Sequence, residues 1–176
     1  MKNAAKILIL LVMAPGLAFA ALTAAPTPRK PVDPVFFTGR WFEIARTDNW
    51  RQGDCQAPTY QFEPLKNPAN AYFTLTCHKG SPSGKAEAAR VTIKLPQDNQ
   101  RNRFKVSGMG GLISLEYSVL DIADDNSWSI LATPGGGYVW ILSRDPHMDA
   151  ATRDRLLGEI RKMGFEMNKI VLPKHV

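Results

Sequence analysis

Alternation of apolar and polar residues with a period of two constrains this chain more than any other feature of its sequence. Residues 89–95 are the clearest example, because their odd-numbered positions are apolar and their even-numbered positions are polar. Such alternation is typical of a β-strand that buries one face. Similar segments, separated by turns rich in Gly, Pro, Asn and Asp, occupy residues 41–47, 56–63, 72–78, 103–106, 112–121, 128–133 and 138–143. Eight sequential strands joined by short turns predict an all-β fold, either an up-and-down antiparallel barrel or a sandwich.

The periodicity changes once, after the eighth segment, where apolar residues recur at helical spacing. Asp149 has a side chain suited to an N-cap, and Gly164 is placed to end the helix. Four apolar residues fall on one face of this helix: Leu156, Leu157, Ile160 and Met163. A single amphipathic helix needs a partner for its apolar face, so we expect it to pack on the outside of the sheet. Residues 170–171 could then add a short edge strand.

The first 20 residues have the composition of a secretory signal peptide. Two lysines precede an apolar run over residues 7–14, and small residues at positions 18 and 20 form a cleavage pattern. The run is too short to span a bilayer, which takes about 20 residues. We therefore expect cleavage near Ala20 and a periplasmic or secreted protein, with a retained N-terminal anchor as the alternative.

The rest of the chain is long enough for one domain with its own core. Residues 21–31, which hold three prolines, predict a flexible lead, and residues 32–176 predict the barrel domain. A lipoprotein signal would need a Cys directly after the cleavage site, whereas the first Cys is Cys55. Nothing in this pattern indicates an oligomeric state.

Charge argues against a nucleic-acid partner. The chain has 22 Lys and Arg against 16 Asp and Glu. Because Lys2 and Lys6 would leave with the signal peptide, the mature net charge falls from +6 to +4. These charges form no basic run, so binding to nucleic acid is not predicted.

Catalytic and cofactor motifs do not occur in the sequence. Residues 80–84 have Pro82 at the position that a nucleophilic serine would take. There is no phosphate-binding glycine loop and no pair of histidines at metal-ligand spacing. We therefore predict no enzyme, no cofactor and no metal site. Glu43 is the one acid that would support an enzyme instead, although a buried carboxyl more commonly has a hydrogen-bonded structural role.

The chain has two cysteines, Cys55 and Cys77. In an oxidising compartment an even pair most simply forms a disulfide. Metal binding is the competing interpretation, but neither cysteine has a second ligand at the spacing of a zinc site. The sequence favours the disulfide.

The face of the third strand that points inward stays open at this point. If the two cysteines face each other across a hairpin, they share a face with Phe73 and Leu75. Tyr60 and Tyr72 then lie on the opposite face. A bulge at Pro58 would reverse this relation for the second strand.

Alternation assigns inner faces on the first and last strands. On the first strand the inward residues would be Trp41, Glu43, Ala45 and Thr47. On the last strand they would be Tyr138, Trp140 and Leu142. Aromatic residues with polar tips suit a ligand pocket. An eight-stranded barrel can hold one small ligand or be filled by side chains, and the pattern alone leaves both open.

Two segments carry a resemblance to a known family. Residues 39–46, Gly-Arg-Trp-Phe-Glu-Ile-Ala-Arg, resemble the Gly-x-Trp signature that opens the lipocalin barrel, in the form of its bacterial and apolipoprotein D branch. Residues 138–144 resemble the last strand of that branch and end in the arginine of its third motif. Shorter matches follow in the expected order at residues 57–60, 117–121 and 164–166. The resemblance spans residues 32–172.

The resemblance implies an eight-stranded up-and-down antiparallel β-barrel with one C-terminal α-helix packed outside. Gly39 would let the chain bend as it enters the first strand, and Arg144 would stack on Trp41 at the closed end. Phe36 and Phe37 are suited to plug that end. These implied roles are structural. Many relatives in this branch are lipid-anchored to the outer membrane through an N-terminal Cys, which is missing at the predicted cleavage site.

For function, the resemblance implies non-enzymatic binding, storage or transport of a small hydrophobic ligand, such as a fatty acid, a lysophospholipid or a related membrane lipid. Peripheral contact with the membrane fits such a ligand. We predict that the ligand contacts Tyr60, Phe62, Val91, Ile93, Phe104, Val106, Tyr117, Val119, Trp128, Ile130, Tyr138 and Trp140. The three tyrosines of this set are the expected headgroup donors. The alternatives are a surface-recognition module of the cell envelope with a filled barrel and, less favoured, a lipid-modifying enzyme that uses Glu43.

Overall fold

The computed structural model describes residues 24–97, 101–108 and 113–176, so the predicted signal peptide lies outside the described residues. The strands are β1 (Gly39–Thr47), β2 (Cys55–Pro64), β3 (Asn70–Lys79), β4 (Ala86–Lys94), β5 (Arg103–Gly108), β6 (Ile113–Ile122), β7 (Trp128–Ala132), β8 (Val139–Ser143) and β9 (Ile170–Val171). The helical segments are a 3-10 turn at Pro34–Phe37, helix α1 at Ala150–Lys162 and a second 3-10 turn at Met167–Lys169.

The first eight strands form a closed antiparallel barrel. Each of them pairs with its neighbour in sequence, and β1 also pairs with β8, which closes the ring. The short strand β9 pairs with the end of β1, with Ile170 opposite Thr47. The predicted up-and-down barrel is confirmed, and the sandwich is excluded.

Helix α1 packs on the outer surface of the barrel, as the helical periodicity predicts. The Asp149 carboxylate caps the helix by accepting a hydrogen bond from the backbone N–H of Thr152 at 2.8 Å. Leu156 and Ile160 are fully buried in an outer apolar cluster. The barrel contributes to this cluster Ile44, Leu120, Ile130 and Ile141. No helix in the described ranges is long and apolar enough to cross a membrane.

Arg144 closes one end of the barrel by stacking on Trp41, with 3.7 Å between the guanidinium carbon and the indole centroid. Its Nη1 atom donates to the carbonyl oxygens of Thr38 and Arg40 at 2.8 and 2.9 Å, and Nη2 donates to that of Val35 at 3.1 Å. Burial lowers the pKa of the Arg144 guanidinium to about 10, so the group remains a cation at neutral pH. The implied stacking contact is confirmed.

Gly39 and two phenylalanines shape the same end. Gly39 has a φ of +66°, a left-handed conformation that glycine adopts without strain, and this turns the chain into β1. Phe36 and Phe37 are buried, with ring centroids 4.9 Å apart in an edge-to-face arrangement. The indole N–H of Trp41 donates to the carbonyl oxygen of Phe36 at 3.0 Å. The two phenylalanines therefore plug the closed end.

A β-bulge in β1 overturns part of the predicted inner face. The pairing of β1 with β8 shifts register between Glu43 and Ala45. Trp41 and Glu43 face inward as predicted, but Ala45 belongs to the outer cluster beneath α1. Arg46 takes the inward position, where it contacts Glu43, and by alternation Thr47 faces away from the interior. The prediction that Ala45 and Thr47 point inward is wrong because strict alternation does not hold across a bulge.

A second bulge, in β2, shows which face of the third strand points inward. The pairing of β2 with β3 shifts register between Gln56 and Thr59, and Ala57 adopts a φ of +44° there. As a result, Tyr60 lies opposite Leu75, and both face the interior. The bulged alternative is therefore the correct one.

The residues of β7 that face the barrel interior are not the predicted ones. Ile130 is fully buried in the outer cluster, and Trp128 packs there beneath the guanidinium of Arg155, 5.1 Å from its ring centroid. Leu131 is the residue that reaches the inner core. The prediction that Trp128 and Ile130 contact a ligand is wrong. Helix α1 covers the outer face of β7, so both faces of the strand are buried, and alternation marks the apolar face beneath the helix instead of the face toward the cavity.

Cys55 and Cys77 form a disulfide between β2 and β3, as predicted. The bond joins residues 22 positions apart, with their Cα atoms 5.3 Å from each other. Among the described residues, no group of three or more His, Cys, Asp or Glu side chains is arranged to hold a metal ion.

Replacing both cysteines, Cys55→Ser with Cys77→Ser, should lower the free energy of unfolding by about 3 kcal/mol, because the disulfide restricts the unfolded chain. Urea denaturation followed by tryptophan fluorescence measures the change. Ser83→Ala, in the exposed turn beside the disulfide, is the control and should change the free energy by less than about 0.5 kcal/mol. Equal unfolding midpoints for the two variants would contradict a stabilising role for the crosslink.

Candidate functional site

The lower half of the barrel interior is filled by aromatic rings. Phe36, Phe37, Phe62 and Phe104 contact one another with centroid distances between 4.9 and 6.1 Å. Edge-to-face and tilted contacts of this kind pack without leaving room for another molecule. We call this group the aromatic floor, because it lies between the closed end and the hollow part of the barrel.

Above the aromatic floor the barrel encloses a cavity of about 270 Å³. This volume is close to the lower end of the range for ligand sites, about 300 Å³. The cavity is lined by Asn49, Arg51, Gln52, Tyr60, Phe73, Leu75, Ala89, Val91, Val106, Leu115, Tyr117, Tyr138 and Trp140. Most of this surface is aliphatic or aromatic, and three polar residues come from one segment, residues 48–54, which joins β1 to β2 at the mouth.

The predicted ligand contacts divide into three groups. Six line the cavity: Tyr60, Val91, Val106, Tyr117, Tyr138 and Trp140. Four belong to the inner core but lie outside the cavity lining: Phe62, Ile93, Phe104 and Val119. The other two, Trp128 and Ile130, face α1. The structure therefore brings these six residues together around one cavity.

Seven lining residues were missing from the predicted set. Phe73 and Leu75 are absent from the set because the sequence leaves open which face of β3 points inward. Ala89 and Leu115 each lie two positions from a predicted contact on the same strand, so they point to the same side. Strand alternation could have found these four. The other three, Asn49, Arg51 and Gln52, lie in a connecting segment, where no periodic pattern marks an inward side chain.

Glu43 is fully buried and accepts hydrogen bonds from three side chains behind the cavity wall. The Tyr60 hydroxyl donates to Oε2 at 2.6 Å, and Gln52 Nε2 donates to the same oxygen at 2.9 Å. Arg46 Nη1 donates to Oε1 at 2.8 Å and supplies the balancing charge. A buried charge is tolerated when it is paired and hydrogen-bonded in this way. We call these four side chains the Glu43 network.

Two cavity tyrosines are held in their neutral form. Burial, followed by the negative charge of Glu43, raises the pKa of Tyr60 well above its usual value. Burial also raises the pKa of Tyr117; Glu43 adds to this increase and Arg51 opposes it. Both phenols are therefore hydrogen-bond donors at neutral pH. Tyr60 uses its proton for Glu43, whereas the Tyr117 hydroxyl has no hydrogen-bond partner among the described residues.

The Glu43 network also fixes the segment at the mouth. The Gln52 backbone N–H donates to the Asn49 carbonyl at 3.1 Å, and Asn49 Nδ2 donates to Gln52 Oε1 at 3.0 Å. Arg46 Nη2 donates to the Gln52 carbonyl oxygen. These hydrogen bonds therefore hold residues 48–54 in place against the buried Glu43 and Arg46 side chains.

Comparisons with known proteins find a matching family, similar sequences and a similar fold. The family described as "Lipocalin-like domain" matches residues 32–175. The chain is 28% identical to "Outer membrane lipoprotein Blc" of Citrobacter freundii, over 88% of this chain and 94% of that protein. It is 25% identical to the protein of the same name from Escherichia coli (strain K12), over 93% and 95%. Insecticyanin from the tobacco hornworm Manduca sexta has a similar fold, with a TM-score of 0.65, 15% identity and coverage of 87% and 85%.

Arg46→Met should destabilise the protein by about 3 kcal/mol, because it leaves the Glu43 carboxylate buried without its cation. Adding Glu43→Gln should recover part of this loss, because the amide removes the unpaired charge and keeps an acceptor for Tyr60. Urea denaturation measures both free energies. Arg40→Met, which removes an exposed arginine from the same strand, is the control and should cost less than about 1 kcal/mol. Equal losses for the two arginine variants would argue against the buried pair.

Proposed function

The chain belongs to the lipocalin family, and from this we propose that its barrel binds, stores or transports one small hydrophobic ligand without changing it chemically. The observation that carries this proposal is the cavity above the aromatic floor, with its mainly apolar lining. The cavity has a volume of about 270 Å³, and ligands of other proteins occupy concave, largely preformed cavities of this kind.

The proposed mechanism is the burial of apolar surface. Each methylene that moves from water into an apolar cavity contributes about 0.8 kcal/mol, so roughly ten methylenes would contribute about 8 kcal/mol. Loss of ligand motion on binding reduces this figure. A single alkyl chain, rather than a two-chain lipid, fits a cavity of this volume.

We propose a fatty acid, a lysophospholipid or a related membrane lipid as the ligand. Two of the relatives are outer membrane lipoproteins by name, which supports a place in the cell envelope. The disulfide supports an oxidising compartment, such as the periplasm or the extracellular space. We propose that the protein takes up such a ligand during transient contact with a membrane.

A non-enzymatic role is supported by the position of Glu43. Its carboxylate is not part of the cavity lining, and its oxygens already accept from Tyr60, Gln52 and Arg46. A general acid or base has to reach the reacting group of a substrate. We therefore propose that Glu43 holds the cavity wall and the mouth in place rather than acting on a lipid.

Val91→Trp should weaken binding of a medium-chain fatty alcohol at least about tenfold, because the larger side chain fills the cavity from β4. A fatty alcohol is a suitable probe because it tests burial of the alkyl chain without a charged headgroup. Isothermal titration calorimetry measures the affinity, and far-ultraviolet circular dichroism checks that the barrel is intact.

Thr92→Trp is the matched control, because Thr92 is the next residue on β4 and faces solvent on the outside of the barrel. It should bind the alcohol as the unmodified protein does. Absence of saturable binding to the unmodified protein, or equal affinities for the two tryptophan variants, would contradict binding in the cavity.

A further inference from the structure

Arg51 is the only cationic side chain among the described residues that line the cavity. It lies on the segment at the mouth, and its side chain is exposed at the rim. An apolar cavity with one cation at its entrance has two chemically different ends. Such an arrangement suits an amphiphile, whose tail is apolar and whose head is charged.

Arg51 has no carboxylate partner, unlike the buried arginine nearby. Arg46 is paired with Glu43 at 2.8 Å, and Arg144 donates to three carbonyl oxygens at the closed end. Within the described part of the chain, no acidic side chain forms a salt bridge with Arg51. Asp54 of the same segment instead contacts Lys79 at 3.5 Å. The hydrogen-bond donors of Arg51 are therefore available to an external anion.

Arg51 contacts the ring of Trp50, and this contact leaves the N–H groups of its guanidinium exposed. Its guanidinium carbon lies 4.7 Å from the ring centroid of Trp50, which is itself 80% exposed. Contact with an aromatic ring restricts the long arginine side chain, while the N–H groups keep their capacity to bind an anion. A carboxylate or a phosphate can then accept two parallel hydrogen bonds from one guanidinium.

The mouth segment presents Arg51 in an ordered position. Gln52, the next residue, is tied to Glu43 and Arg46, and Asn49 is tied to Gln52. Because these bonds lie within the protein, much of the cost of ordering the segment is met before a ligand arrives. Preorganisation of this kind increases affinity.

A second donor lies in the same cavity. The Tyr117 hydroxyl has no partner among the described residues, and the charge of Arg51 acts on this phenol. Tyr117 stacks on Phe104 of the aromatic floor, with 5.1 Å between ring centroids, so its hydroxyl lies deeper in the barrel than Arg51 and can donate to a polar group inside the cavity. An anion at the mouth is therefore bound by Arg51, and the apolar lining residues would contact the tail.

We infer that the mouth of the cavity is a binding site for the anionic headgroup of a single-chain amphiphile, a carboxylate or a phosphate, and that Arg51 is the residue that recognises it. The inference rests on the proposed function, since it names the ligand class of the same cavity. The ligand enters with its tail first and leaves its headgroup at the rim.

The test compares a fatty acid, an alkyl phosphate and a fatty alcohol of the same medium chain length by isothermal titration calorimetry. The unmodified protein should bind both anions about tenfold more tightly than the alcohol, since charge-assisted hydrogen bonds are stronger than neutral ones. Arg51→Gln should remove most of this preference and leave the affinity for the alcohol within about twofold. The acid and the phosphate together show which headgroup is preferred, and inorganic phosphate alone should give no saturable binding.

Lys85→Gln is the matched control, because Lys85 is an exposed cation in the turn between β3 and β4 at the same end and does not line the cavity. It should leave all affinities unchanged. If the alcohol binds as well as the anions, or if Lys85→Gln lowers anion affinity as much as Arg51→Gln, the inference is wrong while the proposed function stands. If none of the three amphiphiles binds the unmodified protein, both fail.

Discussion

Stacking of Arg144 on Trp41 is the contact on which the rest of the barrel depends. Trp41 lies on β1 and Arg144 directly follows β8, and these are the two strands whose pairing closes the ring. The three carbonyl oxygens that Arg144 contacts belong to the 3-10 turn, to Thr38 and to the start of β1. The contact therefore holds the 3-10 turn in the position where its two phenylalanines complete the aromatic floor, and the cavity lies above that floor.

The Glu43 network extends this order from the interior to the mouth. A buried ion pair adds little stability compared with apolar residues of the same size. Its main effect here is therefore to position the side chains and backbone that it contacts. Here the pair binds Gln52, and Gln52 fixes the segment that carries Asn49 and Arg51. The β-bulge after Glu43 makes the arrangement possible, because it brings Arg46 to the same inner face three residues later. The cavity is thus bounded below by the aromatic floor and at the mouth by residues 48–54, which the Glu43 network holds in place.

The general architecture could be predicted from the sequence because alternation and turn chemistry are local properties. The barrel, the outer helix, the disulfide and the stacking of Arg144 on Trp41 follow from such signals or from the resemblance, and they are confirmed. Inner faces were predictable only where alternation is unbroken and one face meets solvent. The bulge before Ala45 and the helix over Ile130 break these two conditions. Arg51 could not have been found, because a residue in a connecting segment is oriented by tertiary contacts that no local pattern encodes.

We propose that an alkyl chain enters the barrel from the mouth and stops at the aromatic floor. A crystal structure with a fatty acid that carries bromine on its terminal carbon tests this most directly, because anomalous scattering locates the bromine. One bromine peak should appear inside the barrel, near Phe73 and Leu75 and above Phe62. A peak on the outer surface, or an empty barrel at saturating ligand, would contradict it.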